Sequence, residues 1–176
     1  MRQILSTPRL LLRQIEQDDL PALQRIFGDA ECMRYYPGTK SFAETEQWFG
    51  RLAFESYAKN GFGLWAIVLK ETGDVIGDCG ITLQPTPNGR EPEIGYHLWR
   101  DFWGRGFASE AARATLRFGM TTLQMRRIVS IVAERNIPSQ RVAGAIHQRM
   151  EQFTTHDKAS GFYGDYRLYI TERSGS

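Results

Sequence analysis

The chain has 176 residues, 41% of them hydrophobic, and 22 basic against 20 acidic side chains leave a net charge of +2. That length suits one domain with a sizeable core, and a near balance of charge with no basic block gives no reason to expect a nucleic-acid partner. Cys32 and Cys79 form no CxxC pair and are expected as buried thiols, and the absence of a long apolar run points to a soluble, cytoplasmic protein without a leader or membrane span.

Arg9 to Ile15 reads as a first strand around three successive leucines. Asp18 is expected to cap a helix through Leu20, Leu23, Ile26 and Phe27 that Gly28 ends. Ser41-Phe42-Ala43-Glu44 has the form of a capping box, and the helix behind it carries Trp48, Phe49, Leu52 and Phe54 and stops near Asn60-Gly61. Phe62 to Leu69 is strand-like, Glu71 to Asp74 is a hairpin turn, and Val75 to Leu83 is the returning strand. Gln84 to Glu91, with two prolines, Asn88 and Gly89, reads as a loop, and Glu93 to Trp99 as the fourth strand.

Next comes Asp101-Phe102-Trp103-Gly104-Arg105-Gly106-Phe107-Ala108-Ser109-Glu110. The helix after it runs from about Phe107 to Thr121, with Phe107, Ala111, Ala114 and Phe118 on one face. Arg127 to Ala133 is a fifth strand, Pro138 falls in the first turn of another helix, and Gly164 to Thr171 is a last strand. An additional strand near Phe153 fits the pattern as well. Residues 1–173 therefore read as a single domain, and residues 174–176 as a disordered tail.

A strand, a glycine turn and an alanine-rich helix in that order make an anion site. Glycine lets the backbone approach a ligand closely. The helix start offers unpaired N–H groups and the positive end of its dipole, to which a phosphate is suited. A bare strand-to-helix turn is the plainer reading of the same residues. A dinucleotide fingerprint fits less well, because the third glycine of that pattern is missing and four strands precede the turn. No Walker lysine is present either.

Three passages carry a resemblance over nearly the whole chain: Thr7-Pro8-Arg9-Leu10-Leu11-Leu12-Arg13, Trp103-Gly104-Arg105-Gly106-Phe107-Ala108-Ser109-Glu110-Ala111 and Asn136-Ile137-Pro138-Ser139-Gln140-Arg141-Val142. In this order they resemble the GNAT superfamily of acyl-CoA-dependent N-acyltransferases, closest to its Rim-type branch that acetylates ribosomal-protein N-termini. The resemblance implies an α+β fold with a central mixed, mostly antiparallel sheet flanked by helices. It implies acetyl-CoA as the acyl donor, an amine as acceptor, and in this branch a common homodimer; no metal is expected, since His147 and His156 make no ligand set with His97. Backbone N–H groups from Gly104 through Arg105, Gly106, Phe107 and Ala108 to Ser109 would hold the CoA pyrophosphate. The main chain near Leu98, Trp99 and Arg100 would hold the pantetheine arm in a gap between the fourth and fifth strands. Asn136 would touch the same arm, or would simply cap its helix.

Acyl transfer to an amine needs a base for the nitrogen, a donor for the developing oxyanion and a proton for the departing thiolate. Glu93 is a candidate base, on a strand face shared with Gly95 and His97; a solvent-facing strand-end carboxylate is the alternative. His97 is a second candidate for the base. The tyrosine that many family members place seven residues after the asparagine is Ala143 here, and the branch offers Ser139 instead as the acid, or as a helix-start serine. The Gly-Phe turn usual before the sixth strand is also replaced, by residues running from Ala143 to Met150 with His147 among them. The resemblance implies an acceptor wall from Met33 to Gly38, Trp48 and Gly161 to Tyr163, with Trp65 on the second strand as a further candidate. These departures leave a second reading open, a non-catalytic acyl-CoA-binding module of the same fold.

Overall fold

The computed structural model describes residues 2–155 and 164–173. Eight strands form one sheet in the order β1-β2-β3-β4-β5-β6-β8-β7. They are β1 (Gln3–Ser6), β2 (Leu10–Gln14), β3 (Leu64–Leu69), β4 (Val75–Thr86), β5 (Gly89–Leu98), β6 (Arg127–Ala133), β7 (Arg149–Thr155) and β8 (Gly164–Glu172). Every neighbouring pair is antiparallel except β5 with β6. This is the mixed, mostly antiparallel α+β sheet expected from the resemblance.

On one face lie α1 (Leu20–Phe27), α2 (Phe42–Phe49) and α3 (Ser56–Asn60), the last two joined through a widened π-type turn at Gly50–Glu55. Their apolar side chains, among them Leu23, Phe27 and Phe49, meet Leu64 and Ala66 of β3. On the other face α4 (Phe107–Thr121) buries Phe107, Ala111, Ala112 and Leu116 against Leu12, Trp65, Ile81 and Ile94. The small side chains bring α4 close to the sheet: a Cβ at Gly119 would stand 2.4 Å from the Ile128 Cδ1. The short helix α5 (Ile137–Gly144) follows β6, and its Ala143 packs with Val132 and Tyr169.

Several expectations are corrected. An edge strand, β1, precedes the one read from the sequence, so the expected fourth strand is β5. Asp18 does not cap α1: a short 3-10 turn at Gln17–Asp19 leads in, and the Asp19 carboxylate turns inward to a buried pair with Arg13 at 2.7 Å. The loop expected over Gln84 to Glu91 shrinks to a two-residue turn, because β4 and β5 stay paired out to Thr86 and Gly89. The strand near Phe153 is present as β7, which pairs with β8. Gly161 to Tyr163 and residues 174–176 lie outside the described residues.

Candidate functional site

β5 and β6 are parallel and share a single register pair, Glu93 with Val129. Beyond it side chains replace the ladder: the Ser130 hydroxyl donates to the Ile94 carbonyl at 2.9 Å, and the Ile131 amide to Glu93 Oε1 at 3.4 Å. The strands therefore open toward their carboxyl ends, where the chain turns into α4 on one side and α5 on the other. Ligands of α/β sheets collect at such a divergence. A cleft of about 500 Å³ occupies it, bounded by Tyr36, Tyr96, His97, the 102–109 turn and the start of α5.

The turn is built as an anion seat. Gly104 and Gly106 have φ of 70° and 80°, a left-handed conformation that glycine adopts at no steric cost. Gly106 caps α4 and, having no side chain, makes no cap bond to the first-turn N–H groups. Those groups, with the dipole of a fifteen-residue helix behind them, are what a pyrophosphate needs. Arg9 clamps the turn from β2's start: Nη1 donates to the Arg105 carbonyl at 2.9 Å and Nε to Glu110 Oε2 at 2.6 Å. Thr7 donates to the other Glu110 oxygen at 2.6 Å. Burial alone would raise the Glu110 carboxyl, but the bonds from Thr7 and Arg9 outweigh it and hold it below the usual carboxylate range.

Leu98, Gly104, Gly106, Phe107, Ala108, Ser109, Asn136 and Ser139 border the cleft, as the sequence reading grouped them. Trp99, Arg100 and Arg105 do not. The Trp99 amide is used by the Ile76 carbonyl of β4 at 2.9 Å, so strand alternation turns the main chain of Tyr96 and Leu98, not Trp99, into the gap. Arg100 opens a short 3-10 turn and faces Asp29 at 3.6 Å. The Arg105 guanidinium lies over the Phe102 and Phe107 rings. Asn136 caps α5, accepting from the Ser139 amide at 3.2 Å while bordering the cleft.

Glu93 is 8% exposed and sits at the vertex of the opening, with weak bonds from Ile131 and from the Thr82 hydroxyl at 3.4 Å. Burial pushes its carboxyl up to about 7, against the bonds from Ile131 and Thr82 and the nearby His97. It shares a face with His97, as alternation requires, yet His97 borders the cleft and Glu93 does not. His97 Nδ1 lies 3.1 Å from Asp78 Oδ1, and Nε2 lies 2.7 Å from the Tyr36 hydroxyl. Ser139 has a partner that sequence reasoning missed: the Tyr96 hydroxyl stands 2.9 Å from both its carbonyl and its Oγ. Burial, first of all, pushes the Tyr96 phenol well above its ordinary value and keeps it a proton donor. The signal for Tyr96 is its alternation onto the face opposite Glu93; Tyr36 lies in the expected Met33 to Gly38 wall, and nothing local marks Asp78.

On the acceptor side Arg34, Tyr35 and Tyr36 border the cleft, whereas Met33 is core. Trp48 packs on Phe27 away from the cleft, and Trp65, 1% exposed, is edge-on to Phe118 in the α4 core. Trp65 buries most surface by facing the α4 layer, whereas Trp48 belongs to α2 in the helix layer on the other face of the sheet. Cys32 borders the cleft, and burial pushes its thiol up to about 11. No cluster of three or more metal-ligating side chains occurs among the described residues.

The sequence profile of the acetyltransferase (GNAT) domain matches residues 9–149. The uncharacterised N-acetyltransferase p20 of Bacillus licheniformis is 33% identical over 173 residues, which cover 95% of this chain and 94% of that protein. An acetyltransferase from Agrobacterium tumefaciens superposes with a TM-score of 0.80 at 27% identity, over 98% of this chain and 95% of the other. RimL, a ribosomal-protein α-N-acetyltransferase solved in complex with coenzyme A, shares the fold with a TM-score of 0.76 at 20% identity, over 97% and 98% of the two chains.

Proposed function

The chain belongs to the GNAT acetyltransferase family, and from that premise we propose that it moves an acetyl group from acetyl-CoA to a primary amine by direct attack within a ternary complex. The observation that carries the donor is the uncapped start of α4, behind two left-handed glycines and facing the gap between β5 and β6. The pyrophosphate fits the N–H groups of Gly104 to Ser109. The pantetheine arm would lie in the gap along the main chain of Tyr96 and Leu98, where the Leu98 carbonyl also accepts from the Trp103 indole at 2.9 Å. Bound acetyl-CoA supplies the activated acyl carbon.

The rest of the chemistry falls to side chains. The departing sulfur needs a proton, and the Ser139 hydroxyl, backed by the neutral Tyr96 phenol at 2.9 Å, offers one at the mouth of α5. This pair supplies the phenol that Ala143 cannot. The acceptor enters past Arg34, Tyr35 and Tyr36, a wall suited to a protein N-terminus or a small amine.

The test measures free thiol released from acetyl-CoA across a panel of peptide N-termini, polyamines and amino sugars. Release with at least one amine is expected, lowered by Ser139→Ala. Coenzyme A, but not ATP or NAD, should raise the melting temperature, as a ligand of the native state does. Tight coenzyme A binding with no release across the panel would refute transfer in favour of a binding module.

A further inference from the structure

The amine's base is not assigned by the donor site, and Glu93, the acidic residue of the vertex, is off the cleft wall. Another carboxylate is connected to that wall. Asp78 on β4 is fully buried, and its Oδ2 has no hydrogen-bond partner among the described residues. Its Oδ1 faces His97 Nδ1 at 3.1 Å. A carboxylate only accepts, so Nδ1 carries a proton, and in the neutral ring Nε2 is the acceptor. The Tyr36 hydroxyl, 2.7 Å away, must then donate to Nε2. Its remaining lone pairs are left to accept a proton, and Tyr36 stands on the cleft wall.

We propose that Tyr36, His97 and Asp78 form the proton path that takes the surplus proton from the acceptor's ammonium. The proposal rests on the acetyl-transfer reading above. The ammonium N–H gives its proton to Tyr36 Oη as the Tyr36 proton passes to His97 Nε2. His97 becomes an imidazolium held by Asp78 through Oδ1, and the two opposite charges offset each other. The free amine attacks the acyl carbon, so a C–N bond forms as the C–S bond breaks. The nitrogen's second surplus proton ends on the thiolate, and His97 returns the first to solvent. One ammonium and one thioester thus yield one amide, one thiol and one released proton.

The surroundings suit this role. Four groups face His97: Asp78 from β4, the Tyr36 hydroxyl, the Glu93 carboxyl of its own strand face, and from α1 the Phe27 ring at 4.8 Å between centroids. No cation is among these four, so nothing facing the ring repels an incoming proton. Tyr36 is 38% exposed overall, but its hydroxyl is turned in against His97, and burial there, with the Glu93 and Asp78 charges, pushes the phenol above its ordinary value. Tyr36 therefore relays a proton without resting as a phenolate. The arrangement uses the carboxylate as serine hydrolases do, to fix the tautomer and hold the imidazolium.

The experiment compares the pH profile of kcat/KM for the best amine of the panel in the native chain, Tyr36→Phe, His97→Gln, Asp78→Asn and Glu93→Gln. Tyr36→Phe removes only a hydroxyl from an open wall and guards against misfolding in the buried variants; the melting shift with coenzyme A checks each. Tyr36→Phe and His97→Gln should lower kcat/KM at pH 7 by about 10²–10⁴-fold, the usual range for a positioned base. The loss should shrink as pH rises toward the amine's own pKa, where no base is needed. A loss equal at every pH, or a near-native profile in Tyr36→Phe, overturns the relay. The pH-dependent loss appearing in Glu93→Gln alone assigns the base there and overturns it too. If no variant and no native chain releases thiol while coenzyme A still binds, the transfer reading falls and takes the relay with it.

Discussion

Replacing Glu93 by glutamine should change the pH dependence of stability, not only its level. Burial raises the Glu93 carboxyl from 4.5 to about 7, and at about 1.4 kcal/mol per unit this is worth about 3 kcal/mol. The native state holds that proton longer than the unfolded chain. The stabilisation is therefore complete below pH 4.5 and is lost as pH rises to about 7. His147 works in the opposite sense. Burial lowers it from 6.5 to about 4, its ring held between Thr171 and Ser130. The unfolded chain binds that proton first, so its stabilisation is complete above 6.5 and is lost as pH falls toward 4. The ring keeps some exposure, so about 3 kcal/mol is an upper figure for it.

Between pH 4.5 and 6.5 the two slopes oppose each other, and together they leave the native chain nearly flat. Glu93→Gln removes one of them. Urea unfolding at half-unit steps from pH 4.5 to 8 should show the variant gaining on the native chain by about 3 kcal/mol across that range, with an acid-side decline no longer offset. His147→Gln should diverge the other way below pH 6.5. Comparing differences between pH values cancels any fixed cost of the substitution. Profiles for Glu93→Gln and the native chain that stay parallel within about 0.5 kcal/mol would refute the argument, since they would mean that Glu93 titrates alike in both states.

Arg9→Ala should weaken coenzyme A binding about tenfold by calorimetry, because the bonds fixing the 105–110 segment are charge-assisted and worth roughly 1.5–3 kcal/mol. Asp19→Ala should cost about 3–5 kcal/mol in urea unfolding, since it strands the buried Arg13 guanidinium without its 2.7 Å partner. Gly80→Ala should cost about 1–3 kcal/mol, as its Cβ would stand 2.1 Å from the Gly63 carbonyl, whereas Gly50→Ala, with open space around it, should be neutral or gain up to about 1 kcal/mol.

The passages legible in the sequence are those whose local chemistry forces one conformation. Gly104 and Gly106 demand left-handed backbone, the Ser41 and Glu44 side chains close their capping box, and Pro138 sits in the first turn of α5. Pro85, Pro87, Asn88 and Gly89 make the hairpin of β4 and β5 look like a loop; Pro87 falls in its turn, while Pro85 and Pro92 lie within the strands. They are tolerated because β3 ends opposite Gly80 and β6 touches β5 only at Glu93, so no ladder on the far side needs their missing N–H groups. β1 is a short, half-exposed edge strand with no alternation to reveal it. Trp65 is expected at the cleft from its residue type, which does not say which face of the sheet a ring takes, and Trp48 from the resemblance, which does not say which face of α2 it takes. The site's longest-range contacts were illegible for a related reason: Thr7 and Arg9 meet Glu110 about a hundred residues away, and Tyr36 meets His97 across sixty-one.

The alternation of β5 explains how donor and acceptor chemistry can meet. Ile94, Tyr96 and Leu98 face α4 and α5, where the glycine turn, Asn136 and Ser139 are. Glu93, Gly95 and His97 face the opposite layer, with α1, Tyr36 and Asp78. In a continuous sheet these faces would be separated by the thickness of the backbone. Here β5 and β6 part after Glu93 and Val129, and the parting makes a passage through the sheet. A thioester in that gap would meet the proton donor from Tyr96 and Ser139 on one side and the amine handled by Tyr36 and His97 on the other. Gly95 suits the crossing point, since a Cβ there would meet only Glu93 Oε2 at 3.4 Å and Leu64 Cδ2 at 4.0 Å. Gly95→Val should thus narrow the passage without unfolding the chain, raising KM for the amine more than it changes coenzyme A affinity. Equal losses on both substrates would mean that the two faces do not meet there.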